Sequence, residues 1–128
     1  MDVNGSICVG GVPVLVSDAN MKNNIVTLNN SLNKILNLRG VSFQWNTVID
    51  SAMTGTHFGF IAQEVDSVMS EVVHTNDHGE MGIAYQEIIP VLVEAIKEQQ
   101  AQIDSLIYNN VRIGNNNLPS QTTTLTSK

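Results

Sequence analysis

From Tyr85 to Tyr108 the chain holds no glycine, and its one proline there, Pro90, falls where the first turn of a helix tolerates it. Ile89, Leu92, Ile96, Gln99, Ile103 and Leu106 follow one another at steps of 3, 4, 3, 4 and 3. That rhythm is the a/d seam of a heptad repeat with one polar member. Ile88, Ala95 and Ile107 add a second apolar edge. The N-terminal half of the seam is expected to pack on the chain's own sheet. Past Gln99 the stripe outruns anything a few short strands can cover, so an intermolecular coiled coil is expected. Gln99 would fix register at some cost in stability, and isoleucine at these positions leans toward three strands.

The remaining sequence is short of material for a large core. At 128 residues the chain is one small domain at most, and a modest core is all that this length buries. Charged residues are 14%, well under the usual quarter, and Asn, Ser, Thr and Gln supply the missing polarity. The net charge of −6 leaves no basic patch to neutralise phosphates, which argues against nucleic acid as a partner. One cysteine, Cys8, rules out an intrachain disulfide. No apolar run approaches the ~18 residues that argue a membrane span, and no signal-type segment opens the chain.

Residues 1–16 are rich in Gly and Val and read as short strands with turns, hanging on a larger body upstream. Ile25, Leu28, Leu32 and Ile35 predict an amphipathic helix over roughly 25–37, which Gly40 can end. Val41, Phe43 and Trp45 alternate with polar residues and predict a strand with those three on its buried face. Residues 46–56 read as a loop and 58–62 as a second apolar strand. Val72-Val73 and Met81-Gly82-Ile83 flank Asn76-Asp77-His78-Gly79, a hairpin turn. After Asn109 the chain turns polar, and 111–128 are expected to be a loose extension. The expected fold class is α+β: a small mixed sheet packed with helices, and a long C-terminal helix forming a coiled coil, which the resemblance given below implies is trimeric.

The candidate chemistry is short. Ser17 stands five positions before Lys22, with Asp18 beside it, and a turn folding back would bring the lysine to the hydroxyl. The same residues also suit a plain helix start, because Ser is a good cap and Lys an ordinary surface residue. A serine activated by a lysine base can cut a peptide bond, and the nearest one is its own. A free lysine titrates near about 10.4, whereas a general base works best near about 7–8. Burial shifts lysines in that direction, and an ionised Asp18 nearby would oppose it. Assembly through the heptad seam is a natural source of that burial. His74 and His78 sit in the predicted hairpin turn, which does not suit a metal site; His57, just before an apolar strand, could polarise a carbonyl. Gly10-Gly11 lacks the lysine and hydroxyl of a phosphate loop, so neither a metal nor a cofactor is expected. Glu64 reads as a helix-start charge or as the partner of Lys22 or Arg39.

Four ordered blocks carry a resemblance. They are Ser17-Asp18-x-x-Met21-Lys22-x-Asn24-Ile25; Leu38-Arg39-Gly40-Val41-x-Phe43-x-Trp45; Gly59-Phe60-Ile61-Ala62-Gln63-Glu64-Val65; and Tyr85-x-x-x-Ile89-x-x-Leu92-x-x-Ala95-Ile96-Lys97-Glu98-Gln99. Together they resemble the C-terminal intramolecular chaperone domain of phage tail spikes, tail fibres and neck appendages, the peptidase S74 family, over roughly residues 15–107. The resemblance implies a homotrimer that guides three upstream chains into a β-rich stalk and then cuts itself off, locking the mature fibre kinetically. It makes Ser17 the cleavage-site serine, Lys22 its partner and Asp18 the motif aspartate. It also makes residues 1–16 the end of the stalk, 17–110 the chaperone and 111–128 an extension. Assembly would take place in the host cytoplasm, the parent ending in the virion tail and this domain released. Asn20-Met21 replace the basic residue and Leu often found before the lysine. Both Val16–Ser17 and Ser17–Asp18 are candidate scissile bonds. The competing expectations are a trimerisation cap that does not cleave and a receptor-binding fibre tip; aromatic residues at 5% disfavour the latter.

Overall fold

The computed structural model describes residues 6–46 and 50–117. Its elements in order are β1 (Ser6–Val9), β2 (Val12–Leu15), α1 (Ser31–Leu36), β3 (Val41–Phe43), β4 (His57–Gly59), α2 (Ala62–Asp66), β5 (Val73–Thr75), β6 (Met81–Ile83) and α3 (Ile88–Asn117), with single 3₁₀ turns between several of them. Among the described residues the expected mixed sheet is replaced by three separate antiparallel ladders, β1–β2, β3–β4 and β5–β6. Two of the ladders, β3–β4 and β5–β6, are only three residues long.

Each ladder follows from its turn. Gly10 and Gly11 join β1 to β2 with φ of 59° and 81°, the left-handed pair that a tight two-residue hairpin demands. In β5–β6 the Asn76 side-chain oxygen accepts from the backbone N–H groups of His78 and Glu80 at 2.9 and 3.0 Å, while its amide donates to the Glu80 carboxylate. In β3–β4, Val41 pairs with Gly59 and Phe43 with His57, so Phe58 points outward. It is 86% exposed. Trp45 lies beyond the end of β3 and is half exposed rather than buried; it meets the Phe43 ring edge-on at 5.2 Å.

The helix expected over 25–37 is present only as α1. Asn24 and Asn30 both take φ of 54°, a left-handed conformation that interrupts a right-handed helix and that asparagine adopts more readily than most residues. Ile25 and Leu28, spaced as if on that helix, lie in the irregular segment before it and are exposed. Asn30 supplies no side-chain cap to α1. Glu98 of α3 does so instead, accepting from the Leu32 N–H at 2.7 Å.

The core is Val65, Met69, Val72, Ile88 and Val91, with Ile35, Leu38, Phe60, Val68, Val73 and Ile83 packed around it. On α3 the buried stripe is Ile88, Val91 and Ala95, and Glu98 continues it. That stripe lies beside the heptad seam. Ile89, Leu92 and Ile96 are exposed, Ile96 at 64%, against 3% for Ala95. The expectation that the first half of the seam packs on the chain's own sheet is thus overturned, because the neighbouring stripe already does that work. Pro90 is the third residue of α3, where its missing N–H costs no intrahelical bond. The chain from 111 onward, expected to be loose, is helical as far as Asn117; the rest of that expectation lies outside the described residues.

Candidate functional site

β2 ends at Leu15, and two residues later the chain reaches Ser17. Ala19–Met21 then form one 3₁₀ turn. The Asp18 carboxylate caps it, accepting from the Asn20 N–H at 2.8 Å. Backbone bonds from Met21 to Asp18 and from Lys22 to Ala19, both 3.1 Å, close the turn. The reversal returns Lys22 to the start of the motif, where its Nζ donates to Ser17 Oγ at 2.6 Å within one chain. Ser17, Asp18 and Lys22 are all exposed. Asp18 spends one oxygen on the turn, so its visible task is to shape the loop that brings the other two together.

The other blocks act as fasteners for the body behind this loop. Arg39, after α1, grips Glu64 in the first turn of α2 through two bonds, Nη2 to Oε1 at 2.5 Å and Nε to Oε2 at 3.3 Å. The hydrogen bonds from Arg39 hold the Glu64 carboxyl below its ordinary value, and the carboxylate raises Arg39 in turn. Glu64 is therefore both a helix-start charge and an ion-pair partner, of Arg39 rather than Lys22. The Tyr85 hydroxyl accepts from the Phe60 N–H at 2.9 Å, and the two rings stack at 5.8 Å. A Cβ at position 59 would lie 2.6 Å from that hydroxyl, which is why the block opens on glycine. Val91 has no place in the sequence expectations, and Glu98 enters them only as a member of the fourth block, without a role. The 3.5-residue rhythm of α3 drew attention to its exposed seam, and only the Ile88, Val91, Ala95 spacing points to the inner stripe.

His57 packs beside the touching Phe43 and Trp45 rings, 5.7 and 6.4 Å away, with its Nε2 enclosed and unbonded. That nitrogen meets no carbonyl within the chain. His74 and His78 are exposed in the hairpin. Among the described residues no group of three or more His, Cys, Asp or Glu is placed to hold a metal ion, and no helix is long and apolar enough to cross a membrane.

Residues 17–74 match the family described as the chaperone of endosialidase, peptidase S74. The match begins on Ser17 itself and takes in the serine–lysine turn and the Arg39–Glu64 clamp. The chain is also similar to curated fibre proteins. The long tail fibre protein Gp37 of Enterobacteria phage K3 is 29% identical over 94 residues, covering 70% of this chain and 8% of that protein. Gp37 of Enterobacteria phage T2 is 29% identical over the same length, with 7% of that protein covered. The chain thus spans less than a tenth of the curated relatives it matches.

Proposed function

We propose that the chain is a trimeric intramolecular chaperone at the end of a phage fibre, and that it releases itself by autoproteolysis at Ser17. The observation that carries this reading is the Lys22 Nζ to Ser17 Oγ hydrogen bond of 2.6 Å, within one chain and directly after the β1–β2 hairpin. With the lysine neutral, Nζ takes the hydroxyl proton as Oγ attacks a carbonyl carbon. Attack on the Val16 carbonyl closes a five-membered ring, whereas attack on Ser17's own carbonyl would close a four-membered one. The cut at Val16–Ser17 is therefore favoured within a chain. The Val16 acyl group moves from nitrogen to Oγ, the lysine returns its proton to the freed Ser17 amine, and water hydrolyses the ester. The upstream product keeps residues up to Val16 and the chaperone begins at Ser17, so the boundaries 1–16, 17–110 and 111–128 mark stalk, chaperone and extension.

A lysine is a base only when neutral, and desolvation favours that form. In the single chain Lys22 is exposed, so the drying has to come from assembly. The exposed seam of Ile89, Leu92, Ile96, Gln99, Ile103 and Leu106 supplies the means: the inner stripe of α3 is satisfied within the chain and the seam is left for two further copies. Folding would take place in the host cytoplasm, with the parent fibre carried into the virion. The exposure of the pair also favours a second reading, a trimerisation cap in which Ser17 and Lys22 never react.

The two readings separate in a chain that includes the upstream fibre. Wild type should give two bands on a denaturing gel, the smaller with a mass beginning at Ser17. Ser17→Ala, Lys22→Ala and the charge-retaining Lys22→Arg should each give one. A single band for wild type would sink autoproteolysis. Ile96→Asp with Ile103→Asp should block both assembly and cutting, and a monomer that still cuts would break the link between them.

A further inference from the structure

α3 is 30 residues long, about 45 Å at the usual rise, and its own chain uses only the first part of it. The inner contacts end with Glu98 at the start of α1, and every described side chain from Gln99 to Asn116 is exposed. That free portion displays Ile103, Leu106, Ile107, Val111 and Ile113 to solvent. In proteins most helical stability comes from packing of an apolar face rather than from propensity, so this face calls for a partner.

Continuing the same step past Leu106 reaches Asn110 and then Ile113, both inside the observed helix. We propose that the surface by which α3 associates with further copies of this chain runs on to Ile113, and that Gln99 and Asn110 form two polar layers keying a parallel, in-register bundle. This rests on the trimeric reading above. In register, each layer brings identical amides together, where they can bond one another. A slip of one heptad sets Gln99 against Leu106 and Asn110 against Ile103, leaving buried amides in apolar layers without partners. An antiparallel pair could also match Gln99 with Asn110, but three equivalent chains around a threefold axis all point one way. The polar interruptions thus act as a key that makes three chains enter one fibre without stagger.

Two measurements on the whole chain test this. With Cys8→Ser in place, Leu106→Cys should form an interchain disulfide with its own copies on oxidation. Cross-linking found only when Leu106→Cys chains are mixed with Ile103→Cys chains would mean antiparallel pairing and would overturn the proposal. Asn110→Leu should raise the thermal midpoint by roughly 5 °C, and Gln99→Leu with Asn110→Leu should turn a single trimer into a mixture of assembly states in sedimentation velocity. A wild-type trimer whose midpoint and uniformity are both indifferent to Asn110→Leu overturns the polar key alone. A wild-type chain that stays monomeric at high concentration overturns the trimeric reading along with it.

Discussion

Gly59→Ala should destabilise the domain through one atom pair, and the structure names that pair. The added methyl would sit 2.6 Å from the Tyr85 hydroxyl oxygen, 3.3 Å from Phe43 Cε1 and 3.6 Å from Tyr85 Cζ. The first contact is prohibitive, the second tight and the third ordinary. The Tyr85 ring must therefore swing, giving up the Phe60 N–H bond and the stacking on Phe60. Overpacking of this kind costs about 1–3 kcal/mol and the lost bond about 1 kcal/mol more. Alanine recovers roughly 0.4–1 kcal/mol by restricting the unfolded chain, leaving a net loss of about 2 kcal/mol. In a Tyr85→Phe background the offending oxygen and its bond are both absent, so the same substitution should cost less than about 1 kcal/mol. Urea unfolding of the four proteins of this double-mutant cycle measures the coupling, expected at about 1–2 kcal/mol. Equal costs in the two backgrounds would show that the glycine is needed for some reason other than the hydroxyl.

The Arg39–Glu64 clamp gives a pH signature. Because the Glu64 carboxyl is held below its ordinary value by hydrogen bonds from Arg39, its contribution is complete above the unfolded carboxylate range near about 4.3. It fades as pH falls through the lower folded value. The thermal midpoints of wild type and Glu64→Gln should therefore differ at neutral pH and converge in acid, and a gap that widens in acid would contradict the assignment. At the start of α1, Asn30→Gly should be nearly neutral, whereas Asn30→Ala, forced to the same φ of 54°, should lose about 1 kcal/mol; equal denaturant midpoints for the two would argue that the helix start has simply moved.

Much of the motif content was legible in the chain because it depends on near neighbours. The Gly10-Gly11 hairpin, the Asn76–Gly79 turn and the length of α3 up to Tyr108 are local properties of glycine geometry, side-chain acceptors and unbroken helix formers. The turn between Ser17 and Lys22 is equally local, since Asp18 caps it within two residues. The helix expected over 25–37 is cut short for a local reason: Asn24 and Asn30 leave the right-handed region, and Ile25 and Leu28 stay exposed.

What the sequence by itself determined was therefore a set of turns, one long helix and four ordered blocks, each encoded by residues a few positions apart. Only the tertiary structure decided which face of that helix belongs to the chain and which is left over. Ile88, Val91 and Ala95 are buried and Ile89, Leu92 and Ile96 exposed, although both sets are apolar and both recur at steps of three and four. Periodicity registers that a face is apolar and is silent about what covers it. Partners distant in sequence made that choice, with Val65, Met69 and Val72 filling one side of α3 and Glu98 reaching back to Leu32.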